Sequence, residues 1–145
     1  MKFVKTASVI KKAVDFHGHL GPFLIIGVRM GSIALKELKA KSHSMRAVAE
    51  TGVKPPVSCI IDGIQVSTGC TLGRGMIEVI DNQRSKVTFF KDDKKLEIEL
   101  KGHILESILD QLKVESSEKV AERVMELDND ELFLIKSKRD LIGLS

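Results

Sequence analysis

Residues 76–101 read MIEVIDNQRSKVTFFKDDKKLEIELK, and the periodicity of this stretch decides the fold class. Three short runs, 76–81, 86–91 and 95–101, are rich in β-branched and large apolar residues. The last alternates Leu96, Ile98 and Leu100 with Glu97 and Glu99. Such period-two alternation puts one face on a core and the other in water, as in a half-buried strand. Asp92-Asp93 marks a hairpin turn between the second and third runs, with KDDKK as its exposed tip. No helical pattern separates the three runs, which argues against strict β-α-β alternation.

Outward from this block the pattern turns helical. Upstream, residues 6–15 form a short amphipathic helix with Ala7, Val9, Ile10, Ala13 and Val14 near a 3.6-residue period. A longer helix runs from Leu20 to about Lys39, with Pro22 in its first turn, where a missing N–H does no harm. Gly27 and Gly31 lower its helix propensity and so imply close approach of another element. Residues 45–52 read as a further strand, and VKPP (53–56) as a rigid turn. Ser58 then caps a helix that starts at Cys59 and ends at Gly69. Downstream come amphipathic helices at 103–113 and 116–127 and a final strand, ELFLIK, centred on 132–136. There is no internal repeat or low-complexity segment. This order predicts an α+β fold over residues 1–145, a single domain with a mixed or antiparallel sheet packed with several helices.

Composition narrows the function classes. Hydrophobic residues at 43% and charged residues at 30% describe a soluble globular chain. With neither Trp nor Tyr, the usual base-stacking platforms are missing. The net charge of +3 is spread with no long like-charge run, so no nucleic-acid or lipid partner is expected. PFLIIGV, the longest apolar segment, is stopped by Arg29 and falls well short of the ~20 residues of a membrane span. The basic N-terminus lacks the apolar region of a signal peptide. Two cysteines are too few for a disulfide scaffold, and a reduced, cytoplasmic protein is expected. Long apolar helix faces point to a homodimer.

The candidate chemistry lies in two clusters. DFHGHLGP (15–22) places His17 and His19 two residues apart, beside the start of a helix. Cys59 and Cys70 lie at opposite ends of the 59–69 helix, roughly 16 Å apart at ~1.5 Å rise per residue, too far to form a disulfide or to ligate one ion together. Imidazole and thiolate suit zinc and similar divalent transition metals. At the first helical position, unpaired N–H groups and the helix dipole would favour a Cys59 thiolate, although a small buried hydrophobe is an equal reading. Asp62, one turn on, is placed to orient a histidine or act as a base, and Gln65 continues that face as a hydrogen-bond donor. Cys70 sits in the glycine loop GCTLGRGM, where access is easier. That loop and Arg74 suit an anion, and ordinary turn chemistry explains the glycines nearly as well. Arg29 reaches either solvent or a cleft. His43 is expected to be solvated, and His103 to sit at a helix start.

Taken together, FHGHLGPFLIIGVRMG and CIIDGIQVSTGCTLGRG resemble the E-subunit family of formylmethanofuran dehydrogenase and its stand-alone relatives, over residues 16 to about 75. The resemblance implies an α+β core with a metal-binding or catalytic cleft built around His17, His19, Cys59 and the Cys70 loop, with zinc as the ion. It also implies kinship with a carbon dioxide-fixing enzyme of methanogenesis whose molybdenum or tungsten chemistry belongs to other subunits. Many relatives carry Cys where this chain has Gly21, and Asn where it has Met76. Two functions follow from the resemblance. One is a metal-dependent enzyme acting on a small anionic substrate, with Asp62, Gln65 and Arg74 in supporting roles. The other is a non-catalytic accessory component of a larger oxidoreductase complex.

Overall fold

A computed structural model describes residues 2–139 of the chain. Its elements in order are α1 (Lys2–His17), α2 (Pro22–Glu37), β1 (Arg46–Glu50), α3 (Cys59–Thr68), β2 (Ile77–Val79), β3 (Lys86–Lys91), β4 (Lys94–Leu100), α4 (Gly102–Leu112), α5 (Ser117–Glu126), α6 (Asn129–Leu132) and β5 (Phe133–Arg139). The five strands form one mixed sheet in the order β2-β1-β3-β4-β5. Only β1 and β2 are parallel, with Ala47 opposite Ile77, and they are joined through α3. The other pairs are antiparallel, and the β3–β4 hairpin turns at Asp92 with φ 55. The α+β expectation holds.

The alternation seen in the sequence is the alternation of the sheet. Val87, Phe89, Leu96, Ile98 and Leu100 face the helices and are buried. On the opposite face Lys86, Lys95 and Lys138 converge on Glu97. The helical layer is organised around α2, which is buried from Pro22 to Val28 and packs against α1, α3, α5 and the sheet.

Glycine makes the α2–α3 contact possible, as expected for Gly27 and Gly31. A Cβ on Gly27 would lie 3.0 Å from Gly63 Cα, and one on Gly31 2.8 Å from Thr68 Cγ2. Gly63 is the facing partner: its Cβ would come 2.7 Å from Val28 N. Backbone thus meets backbone at this crossing, and α3 is held close to the rest of the fold.

Three boundaries differ from expectation. Helix α1 continues to His17, because the left-handed residue that ends it is Gly18 at φ 107, so His17 belongs to the last helical turn rather than to a loop. Ser58 makes no side-chain cap, since its backbone is already helical and the 54–58 turn runs straight into α3. The four-residue α6 is an addition; its start is marked by the Asp128 N–H donating to Glu131 Oε1 at 3.0 Å. Among the described residues no helix is long and apolar enough to cross a membrane.

Candidate functional site

The site forms where the C-terminal turn of α1 meets the N-terminal turn of α3. His17 Nδ1 donates to Asp62 Oδ2 at 2.6 Å, across 45 residues of sequence. The His17 side chain is 12% exposed and its Nε2 is buried with no partner. A carboxylate on one ring nitrogen holds a proton there, so that in the neutral ring the lone pair lies on the other nitrogen. A buried polar atom without a partner is costly in a folded protein, so among the described residues Nε2 is the buried side-chain nitrogen or oxygen with unspent binding capacity.

His19 lies beside it, with ring centroids 4.7 Å apart and planes tilted by 36°. Its ring is exposed, and Gly21 leaves room around it: a Cβ at Gly21 would sit 3.4 Å from His19 Nε2 and 4.0 Å from Ser117 Cβ. Ser117 at the start of α5 donates to Leu20 O at 3.1 Å and so pins the short 18–21 connector. Sequence reasoning missed Ser117 because that contact joins residues 97 apart.

Asp62 also accepts from Gln65 Nε2 at 3.4 Å, and Gln65 Oε1 accepts from the Leu72 N–H at 2.9 Å. The donor role expected of Gln65 is therefore present. Cys59 stands on the same face of α3, one turn before Asp62, and is half-buried. The stabilisation expected for its thiolate is outweighed. The first amides of α3 are already occupied, with Cys59 N–H bonded to Pro56 O and Ile60 N–H to Val57 O, both at 3.1 Å. Burial, and then the Asp62 carboxylate, push the Cys59 thiol up, against a smaller lowering by its backbone hydrogen bond.

The remaining candidates lie apart from this cluster. Cys70 is not the accessible cysteine of a loop: it is 0% exposed within the core, and its thiol donates to Met45 O at 3.2 Å. Burial raises that thiol too. Arg29 is half-buried and lies away from the cleft. Its guanidinium ends α5, donating to Leu127 O at 2.5 Å, Val124 O at 3.2 Å and Asn129 Oδ1 at 2.6 Å. Arg74 is exposed on the 69–75 loop, and among the described residues its guanidinium has no hydrogen-bond or ion-pair partner. His43 is exposed, as expected, with its ring lying against Gly69, and His103 lies in the first turn of α4, at the helix start expected for it.

Among the described residues no three of His, Cys, Asp and Glu already stand together as a metal cage. What fits a metal is the first ligand and its support, namely His17 with Nδ1 fixed by Asp62 and Nε2 unpartnered. Metal-ligating histidines adopt this arrangement.

Residues 16–134 match a protein family described as "FmdE, Molybdenum formylmethanofuran dehydrogenase operon". A curated relative, a "Probable S-adenosyl-L-methionine-binding protein" of Archaeoglobus fulgidus, is 35% identical over 89 residues. That match covers 60% of this chain but only 24% of the relative's length. A crystal structure of a tungsten formylmethanofuran dehydrogenase FmdE-like protein from Syntrophus aciditrophicus shares the fold, with a TM-score of 0.71 at 23% identity. The likeness covers 96% of this chain and 74% of that one.

Proposed function

The chain belongs to the FmdE family, and from that premise we propose that it binds a zinc-like divalent transition metal at His17 and acts on a small anionic substrate. One observation carries the reading: a buried, unpartnered Nε2 on a histidine whose Nδ1 is bonded to Asp62 at 2.6 Å. His19 and Cys59 are the further ligands. The exposed His19 ring stands beside that of His17, with centroids 4.7 Å apart, and Cys59 shares the face of Asp62. Two imidazoles and a thiolate are a donor set suited to zinc, with a fourth position left for water or substrate. Cys70, bonded within the core, stays outside this set.

Such an ion, when bound, supplies Lewis acidity and lowers the pKa of a bound water toward ~7. The chain's own residues do the rest. Asp62 holds the His17 proton at Nδ1, and Gln65 holds Asp62. Arg74 offers an exposed positive charge to an anionic group. Because burial and Asp62 keep the Cys59 proton in place, metal uptake releases that proton and strengthens as pH rises.

The test is metal analysis of protein purified without an affinity tag after zinc supplementation. About one equivalent is expected, falling sharply in His17→Gln; less than about a tenth of an equivalent in the wild type sinks the reading. A second reading, a non-catalytic accessory component of a larger molybdenum or tungsten oxidoreductase, is favoured by the description of the family. It predicts a specific partner on co-purification and no metal-dependent turnover by the chain alone.

A further inference from the structure

The Gln65 side chain is held at both ends. Its Oε1 accepts from the Leu72 N–H at 2.9 Å, and its Nε2 donates to Asp62 Oδ1 at 3.4 Å. Only one amide orientation permits both bonds. Turned over, it would set an oxygen against the Asp62 carboxylate and an NH2 against the Leu72 N–H. The second carboxylate oxygen, Oδ2, accepts from His17 Nδ1. A continuous line of hydrogen bonds therefore runs from the backbone of the glycine loop to the imidazole.

The two ends of that line differ. Leu72 is 68% exposed, whereas His17 Nε2 is buried. At the start of the loop Gly69 N–H donates to Gln65 O and Cys70 N–H to Thr68 Oγ1. Beyond Leu72 the bonds close on the loop itself: Arg74 and Met76 N–H donate to Thr71 O, and Gly75 N–H donates to Leu72 O. Leu72 N–H instead reaches the face of α3 that carries Asp62.

We propose that Gln65 is a positioning residue that couples the 69–75 loop to the His17 imidazole through Asp62. By engaging Oδ1 it holds the carboxylate so that Oδ2 faces Nδ1, and this sets which nitrogen of His17 carries the proton. The 3.4 Å joint is the longest in the line and close to the outer limit of a hydrogen bond, so it yields first when the loop moves. Whatever takes the Leu72 N–H from Gln65 slackens the hold on Asp62, and occupancy of the loop is thereby reported to the ring. This deepens the metal reading, because the tautomer decides which nitrogen is free to meet an ion.

The experiment uses full-length protein treated with chelator, so failure of metal binding would leave its outcome intact. The ratio of the Nε2–H to the Nδ1–H tautomer of His17 is read from 15N ring spectra at a pH where the imidazole is neutral. Leu72 amide exchange is measured in parallel. The wild type is expected to hold the Nδ1–H form. Gln65→Met keeps the length of the side chain and removes both polar ends. It should raise the tautomer ratio roughly 3- to 10-fold and speed Leu72 exchange by a similar factor, as for the loss of one hydrogen bond. Leu72→Pro deletes the donor at an exposed position and should move the ratio in the same direction. Gly75→Ala, strained at φ 69 but with nothing within 4 Å of its Cβ, perturbs the loop more gently and serves if the proline variant does not fold. Faster Leu72 exchange in Gln65→Met with an unchanged tautomer would reduce Gln65 to a loop tie and overturn the proposal. An unmoved ring in every folded loop variant would overturn the coupling.

Discussion

Gly63→Ala offers a measured test of how closely the two central helices meet. The added methyl would lie 2.7 Å from Val28 N and 2.8 Å from Gly27 Cα, and would overlap Leu24 O. Ordinary contact between heavy atoms needs ~3.5 Å, so α3 must withdraw by roughly 1 Å. All three obstacles are backbone atoms of α2, so no side-chain rotation relieves them. Overpacking of this kind costs about 3 kcal/mol, the upper part of the usual range. Replacing a helical glycine by alanine returns about 1 kcal/mol of propensity, leaving a net loss of ~2 kcal/mol. At about 2.1 cal/mol/K per residue, the unfolding entropy of a 145-residue chain converts that loss into a Tm lower by about 7 °C. Far-UV circular dichroism on heating reads it directly. Gly73→Ala is the control, because nothing lies within 4 Å of its Cβ and it should be neutral or slightly stabilising. A Gly63→Ala protein that melts at or above the wild type would refute the backbone contact. With α3 displaced, the His17–Asp62 bond should also lengthen, so the same variant is expected to lose zinc affinity.

Arg29→Met should destabilise the fold by about 2–3 kcal/mol in urea unfolding, because half-buried carbonyls of Val124 and Leu127 lose a charged donor. Arg29→Lys should recover only part of it, since one ammonium cannot reproduce the fork; a change below ~0.5 kcal/mol for the methionine variant would contradict the capping role. Alkylation of Cys59 should titrate with a midpoint above the ordinary thiol value of ~8.5, and Asp62→Asn should lower that midpoint by removing a like charge. An acidic midpoint in the wild type would show that the α3 amides prevail after all. For acid stability, the Lys86 hydrogen bond holds Glu97 below its usual range. A depressed folded pKa contributes stability above the unfolded value of ~4.3, and that contribution is lost as pH falls through the folded value. Glu97→Gln should therefore flatten the fall of the urea midpoint below about pH 4.3, and identical acid profiles for the two proteins would count against the ion cluster.

The sequence made the sheet legible because Leu96, Ile98 and Leu100 alternate with charge, and a one-face core needs no more information than that. Gly27 and Gly31 announced a close approach, yet Gly63, which meets Gly27, did not stand out, because a helical glycine gains meaning only opposite its partner. At the site, His17, Asp62 and Gln65 were readable from residue type and helical spacing. Of the two readings left open at Cys59, the thiolate is disfavoured for a local reason: the 54–58 turn feeds its carbonyls to the amides that a free helix end would leave open. The error at Cys70 is one of packing, since a glycine-rich loop looks exposed in sequence while one of its members points into the core. Arg29 shows the same limit, as its partners lie 95 to 100 residues away.

Among the described residues, helix α1 meets the main core only through Ile10. Ala13, Leu24 and Val28 form a separate small cluster, with Val9, Val14 and Val66 packed around it, while the sheet and the other helices enclose the large one. A segment seated on its own cluster opens independently of the whole, at a lower free energy than global unfolding. The histidine half of the site therefore rides on the more readily detached part of the molecule, and Asp62 on the more firmly held part. Hydrogen exchange should reach the α1 amides before those of α2. An opening of α1 would separate His17 from Asp62 while leaving the sheet intact. Binding at His17 would close that route, tightening the whole of α1 against α2 and α3.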